Sequence, residues 1–570
     1  MGASSVFRSI RLFVAAGLVA VLFAPALSAQ AEDTGIADNA SWIMPGYAGS
    51  GPAQGALFME PTIGPNSISE LYPTQGGKRV VSPDAVWCSS MQDPTCANAE
   101  GAGFQAYIPP CSESAIVDCV AELWAVVGDS RTVATFDRSI PSAGPIDFTG
   151  DAVMRLPNGG SPGIWRFPGL THDGGSDAYA LSAILTGVVA RSGTSWRATT
   201  TGASVVLDPV TVVSDGQASI RLDPKMNNND PSIFGYLTAG ETIDPAQQYG
   251  YCALAGDGKC ARRANPPAGV RFGITLRLSN APAAWVHGRI WDPTFTVQES
   301  GTATLWTVEA GTIRLPVASG WLSVAQYNRI SSEHSYCVTQ CWKGPLNSQV
   351  NAFDEFLRWL PTLGDKASAM QSRWSFRTLS TASKETQDCM QNAGVIGTVV
   401  TNATVYQNEP PVWSKTTATL DYHVGAPHYD ASGNVFRGYY QMRLKRSVAQ
   451  CLYHLTNAPV HARVSVVSEG GNEIVATESV VNLQDWVVLT AANFTYSSPT
   501  LKVSLYQDAP VATPSASASP STSATPAPAV TATKSTAAIP KSKTITCVKG
   551  KTTKKVTAVQ PKCPLGYKQK

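Results

Sequence analysis

The chain has 570 residues and a formal net charge of +2, with only 15% charged residues but 47 Gly, 39 Pro and 14 Trp. Such a length supplies more than one domain's worth of core, and sparse charge with abundant turn formers excludes a helical bundle in favour of many short strands. The near-neutral total conceals two opposite charges. No Asp or Glu follows Asp508, whereas ten Lys do; with these and Arg8 and Arg11 set aside, 31 basic residues face 41 acidic ones in the body.

Residues 1–31 read as an export leader. Arg8 and Arg11 precede an apolar run over 12–24, Pro25 breaks it, and Ala29-Gln30-Ala31 is a small-residue cleavage site. The run is short of the ~20 residues that span a bilayer. No later run reaches that length, so no transmembrane segment is expected once the leader is removed.

Residues 32–128 form a disulfide-rich N-terminal region. Cys88/Cys96, Cys111/Cys119 and Cys252/Cys260 are each separated by seven residues, and Cys547/Cys563 closes the tail. In an exported chain such spacings predict bridges. Cys337 and Cys341 either bridge locally or reach Cys389 and Cys451. Neither a C-x-x-C pair nor clustered His accompanies these twelve cysteines, so a zinc site is not expected.

Residues 129–330 form a β-rich domain, with strands predicted over 132–136, 204–207, 273–278, 285–291 and 302–308. Turns are expected at 157–160, 172–175 and 214–216. A Cys-containing connector, 331–395, holds one amphipathic helix over 349–360. There Phe353, Phe356, Leu357 and Leu360 share a face, and Asp354, Glu355 and Arg358 are assigned to the solvated one.

Residues 396–507 give the cleanest strand pattern. A hairpin is predicted from 462–468 and 473–480 around Glu469-Gly470-Gly471-Asn472. In the last strand Leu501, Val503 and Leu505 alternate with Lys502, Ser504 and Tyr506, predicting one buried face. The fold class expected is therefore mainly β: a multi-domain ectodomain of immunoglobulin-like or jelly-roll-like β-sandwiches with disulfide-rich loops and one short helical insert. Asn280-Ala281-Pro282 before His287-Gly288-Arg289 is echoed by Asn457-Ala458-Pro459 before His461-Ala462-Arg463, hinting at two related β domains. A Pro/Ala/Ser/Thr stalk over 508–543 has too little apolar surface to fold. A cationic two-Cys tail, 544–570, ends the chain.

The tail reads Thr544-Ile545-Thr546-Cys547-Val548-Lys549-Gly550-Lys551, then Pro561-Lys562-Cys563-Pro564-Leu565-Gly566-Tyr567-Lys568. It resembles the CVKGK…PKCPxGYK module that ends many secreted proteins of actinobacteria. The segment from Met442 to Leu452, with the stretch from Asn493 to Thr500, also resembles large uncharacterised proteins of that group. The resemblance implies a wall-associated protein and no particular activity. Lys549, Lys551, Lys554, Lys555, Lys562, Lys568 and Lys570 are the candidate contacts to anionic wall polymers.

Catalytic motifs do not survive chemical scrutiny. Gly159-Gly160-Ser161-Pro162-Gly163 matches G-x-S-x-G, but Pro162 lacks the N–H that the oxyanion hole requires. His423, His428 and Asp430 offer ligand types zinc favours, yet they more simply flank a turn; His172-Asp173-Gly174-Gly175 could serve in acid–base work but is more simply a surface turn. Asp354 and Glu355 are adjacent and diverge, so they are no glycosidase pair. Trp87, Trp285, Trp291 and Trp306 suit either sugar stacking or a sandwich core, the latter being favoured. The expectation is a non-catalytic, cell-envelope surface protein with a structural, adhesive or ligand-binding role. No cofactor, metal or nucleic acid is expected, and the body's ligand would be carbohydrate or protein. The alternative is a secreted hydrolase acting on carbohydrate.

Overall fold

The computed structural model describes residues 47–58, 69–80, 87–111, 118–140, 147–193, 195–214, 252–256, 258–332, 334–343, 352–379, 388–389, 395–407, 409–430, 432–456, 460–467, 473–475, 477–483, 485–496, 500–507, 543–549, 552–558 and 568–569. The chain is mainly β and divides into two compact units, residues 1–508 and 509–570.

One long sheet runs through the body. Its order is Thr477–Asn482, Trp486–Thr495, Arg437–Lys445, Val395–Thr401, Ala284–Arg289, Trp374–Leu379, Ser195–Ser214, Ala178–Ser192, Gly101–Tyr107, Glu70–Gln75 and Lys78–Arg79. Along this path every neighbouring pair is antiparallel except Ala284–Arg289 with Val395–Thr401, which run parallel. The divisions expected at 128, 330 and 395 therefore do not separate sheets. Strands from residues 70 to 495 share one ladder, because sequence-distant strands pair across those points.

Each face of this sheet is covered by a different partner. On one face Val205, Leu207, Trp374 and Phe376 pack with Ile274, Leu276, Phe295 and Trp306. Those four come from a five-stranded sheet ordered Trp291–Ser300, Ala303–Gly311, Val270–Leu278, Cys119–Val127, Ser130–Val133. On the opposite face Val399, Tyr440, Met442 and Leu489 pack with Leu420, Tyr422, Val464, Leu501 and Val503. Period-2 alternation produces this division: Val399 belongs to one core and Val400 to the other, as do Tyr440 and Tyr439. Val395–Thr401 is thus buried along its whole length, the signature of a strand covered on both sides. The sandwich expectation holds, with two layers flanking one continuous sheet.

The predicted last strand is present as Thr500–Tyr506; Leu501, Val503 and Leu505 are buried and Tyr506 is exposed, as the alternation requires. The expected hairpin forms between His461–Val467 and Glu473–Val475. Its second arm then continues as Thr477–Asn482 in the long sheet, so one predicted strand serves two sheets. The connector helix is Ala352–Trp359. Phe356 and Trp359 are buried against Ala56, Phe58, Ala318 and Leu322. Glu355 corrects its assignment to the solvated face: it is buried and accepts a hydrogen bond from Trp359 Nε1 at 3.0 Å. A buried indole N–H needs such a partner, and the carboxylate one turn earlier provides it.

Bridges Cys88–Cys96 and Cys111–Cys119 are formed as the spacing predicts. Cys389 pairs with Cys451, which fixes one of the alternatives left open. Cys260 and Cys337 are also oxidised. The side chains of Cys252, Cys341, Cys547 and Cys563 lie outside the described residues. In the second unit Lys543–Lys549 pairs with Thr552–Ala558 and with Lys568–Gln569. Lys549 lies opposite Thr552, Lys554 opposite Cys547, Lys555 opposite Thr546 and Lys568 opposite Val548. Lys551, Lys562 and Lys570 fall outside the described residues. No helix among the described residues is long and apolar enough to cross a membrane.

Candidate ligand-binding site

The candidate site lies where the five-stranded sheet ends against the long one. The register between Trp291–Ser300 and Ala303–Gly311 shifts between Trp291 and Thr294, which pair with Gly311 and Glu309. Asp292 and Pro293 together face Ala310, a β-bulge that re-aims a side chain. Asp292 stands at φ 42°, a left-handed conformation uncommon for a residue other than glycine. Side chains hold it there. Arg271 Nη2 donates to the Asp292 carbonyl at 3.0 Å. The Asp292 carboxylate accepts from Gln441 Nε2 at 3.0 Å and from Arg443 Nη2 at 3.3 Å.

The donors to its carboxylate come from the long sheet. Tyr439, Gln441, Arg443 and Lys445 alternate along Arg437–Lys445 and so share a face, opposite Ala492, Thr490, Val488 and Trp486. The Trp291 ring lies on Tyr439 with centroids 3.9 Å apart. Gln441 Nε2 also donates to Thr490 Oγ1 at 3.2 Å. Beside them Glu309 accepts from Trp124 Nε1 at 2.9 Å and from Arg271 Nε at 3.3 Å.

The electrostatics follow from partial burial. Desolvation pulls the Arg443 guanidinium below its ordinary range, and the Asp292 carboxylate opposes that shift. Burial, then the same carboxylate, pushes the Tyr439 phenol up. Gln441 Oε1 and Arg443 Nε are buried without a hydrogen-bond partner among the described residues, a costly state for polar atoms. The Asp292 side chain, by contrast, is 51% exposed. An accessible carboxylate thus rests on a buried guanidinium and a buried amide, beside the half-buried Trp291. The exposed side of the Asp292 carboxylate can accept a hydrogen bond from a hydroxyl- or amide-bearing ligand.

The residues singled out by sequence fall elsewhere, with one exception. Trp291 belongs to the rim, whereas Trp285 and Trp306 are buried core and Trp87 donates to Glu70 at 3.2 Å. His172 corrects the surface-turn expectation: it is buried, its Nε2 within 3.2 Å of the Ala178 and Val210 carbonyls and its Nδ1 accepting from Gly174. His423, His428 and Asp430 do not converge. His423 meets Phe353, His428 lies 2.6 Å from Asp365, and Asp430 accepts from Asn434. No cluster able to hold a metal occurs among the described residues. The G-x-S-x-G segment leads into a strand, Gly163–Arg166, rather than a helix. Asp292, Gln441 and Tyr439 escaped sequence reasoning; the Trp-Asp-Pro string at 291–293 was the available signal, since Pro inside a strand marks a bulge.

A second polar cluster is sealed inside the body at the parallel joint. Arg289 donates to the carbonyls of Thr401, Ala403 and Thr404 at 2.9, 2.7 and 3.3 Å. Its guanidinium lies over the Tyr406 ring, and His287 stacks on that ring with centroids 3.8 Å apart. This cluster pins the chain after Val395–Thr401 to the neighbouring strand. The internal echo is not repeated structurally, because His461 and Arg463 are exposed where His287 and Arg289 are buried.

Comparison with known proteins returned no match: no family model, no curated protein and no solved structure is similar to this chain.

Proposed function

We propose that this chain is an exported protein of the cell envelope whose β-rich body binds a ligand without chemical turnover and whose cationic tail retains it at the wall. The observation that carries the binding role is the Asp292 rim. Asp292 is engaged by Gln441 and Arg443, and Glu309 by Trp124 and Arg271. Carboxylates held by the protein's own donors build the frame of a binding site, and the exposed half of the Asp292 side chain is left to a ligand. Export is supported by the leader-like residues 1–31 and by the oxidised cysteines, since stable disulfides belong to oxidising compartments.

Retention rests on the ten Lys that follow Asp508 without a single acid. Each exposed Lys near an anionic surface contributes on the order of 1 kcal/mol, and the attraction is screened within ~8 Å at physiological salt. Fusing residues 509–570 to an inert secreted reporter tests the mechanism. The reporter is expected to bind isolated walls, to leave them in high salt and to bind more weakly after Lys→Gln changes. Binding that persists in molar salt, or never occurs, contradicts electrostatic retention.

A further inference from the structure

We propose that Arg373, with Arg263 and Asp208, forms an internal site for one small monovalent anion of the size of chloride, at a break in the long sheet. The site is separate from the Asp292 rim and does not depend on it.

The break follows from strand register. On one side, Ser195–Ser214 pairs with Ala178–Ser192 straight past Asp208, which lies opposite Ala180. On the other side two strands meet it end to end. Trp374–Leu379 begins with Trp374 opposite Leu207, and Lys259–Arg263 ends with Arg263 opposite Val210. Neither ladder reaches Asp208 or Pro209. The arginines stand at the two strand ends: Arg263 closes one strand, and Arg373 comes immediately before the other. Leu207, Val210, Ser372 and Trp374 around the break are buried, so water screens charge there poorly.

Asp208 is shared between the two cations. Arg263 Nε lies 3.4 Å from Asp208 Oδ1, and Arg373 Nε lies 3.4 Å from the same oxygen. Arg373 Nη1 donates to Asp208 Oδ2, again at 3.4 Å. Charge-assisted hydrogen bonds close to about 2.7–2.9 Å, so the shared carboxylate grips neither guanidinium tightly. Arg373 Nη2 has no hydrogen-bond partner among the described residues, although the side chain is only 9% exposed. Burial first, then Arg373, pull the Arg263 guanidinium down to about 9. A buried lysine would escape such a place by losing its proton, but an arginine keeps its charge. A water at Arg373 Nη2 would satisfy the N–H and leave the charge, whereas an anion answers both. With both guanidinium side chains about one-tenth exposed, a single ion can reach them and a sugar or peptide cannot. Such an ion would tie the ends of Lys259–Arg263 and Trp374–Leu379 to Ser195–Ser214.

The test melts the mature full chain by scanning calorimetry in sodium chloride and in sodium gluconate at equal ionic strength, gluconate being too large to enter. A ligand that binds only the folded state stabilises it by mass action, so chloride is expected to raise Tm by about 2 °C or more, saturating with concentration. Arg373→Gln should abolish the difference between the two salts. Asp208→Asn, which leaves both cations without their shared carboxylate, should enlarge it. The two variants have opposite expected signs, so either one locates the ion if the other fails to fold. Equal Tm in the two salts for the wild-type chain would overturn the site. A chloride effect that Arg373→Gln retains, or that Asp208→Asn leaves unchanged, would place the ion elsewhere and overturn it as well.

Discussion

At the scale of single residues, His287 carries a pH dependence whose sign follows from its surroundings. Burial first, then Arg289 and Arg377, hold its imidazole well below the ordinary histidine range. The folded state therefore keeps His287 neutral, while the unfolded chain takes up a proton below pH ~6.5. Between those two values the unfolded state binds more protons, so its contribution to stability is present above pH ~6.5 and is lost as the pH falls. A His287→Gln variant should show a flatter loss of melting temperature between pH 7 and 5 than the wild type. Equal slopes would remove His287 from the account. Little of this was legible beforehand: His287 and Arg289 stood out as half of an internal echo, and only the parallel pairing with Val395–Thr401 reveals that both are buried.

At the scale of elements, alternation was a reliable guide wherever one face of a strand is buried and the other wet, as in Thr500–Tyr506. It was silent for Val395–Thr401, buried on both faces, and for short helices such as Val324–Ile330 and Arg446–Tyr453. The first begins with a Ser323/Gln326 capping box, a local signal present in the sequence. The second opens without a side-chain cap and carries Cys451, so its bridge to Cys389 ties the helix down. Gly397 shows how tightly the central strand is fitted. A side chain there would run into the Trp285 ring and the Arg443 carbonyl. Overpacking of a filled core costs ~1–3 kcal/mol, and the backbone carbonyl cannot rotate away. Gly397→Val is therefore expected to lower stability by at least that much in chemical denaturation, while Gly128→Val, at a turn with open space, acts only through its positive φ. A Gly397→Val chain as stable as wild type would mean the strand sits differently from its observed register.

At the scale of the molecule, the body behaves as one unit because its longest sheet is assembled from distant segments. The 396–507 pattern suggested an independent sandwich, yet its core also contains Trp285 and Leu379, contributed from outside that range. Cut out alone, residues 396–507 lose Ala284–Arg289 as a sheet neighbour and Cys389 as a disulfide partner. Such a fragment should show strand signal by circular dichroism without a cooperative melt, whereas residues 32–508 should melt cooperatively. A sharp transition for the fragment would restore the independent domain. Fold class was readable because composition and period-2 patterns act locally. The site was not, since Trp291 and Asp292 meet Tyr439, Gln441 and Arg443 only through pairing across some 150 residues.

The most direct measurement is binding of the tail-less body, residues 32–508, to purified and salt-washed cell envelopes. If the Asp292 rim serves recognition, binding saturates, persists in molar salt, falls at least tenfold with Asp292→Asn and leaves the envelope polymer chemically intact. Absence of saturable binding, or release of soluble fragments with new reducing ends, would contradict a body that binds without turnover.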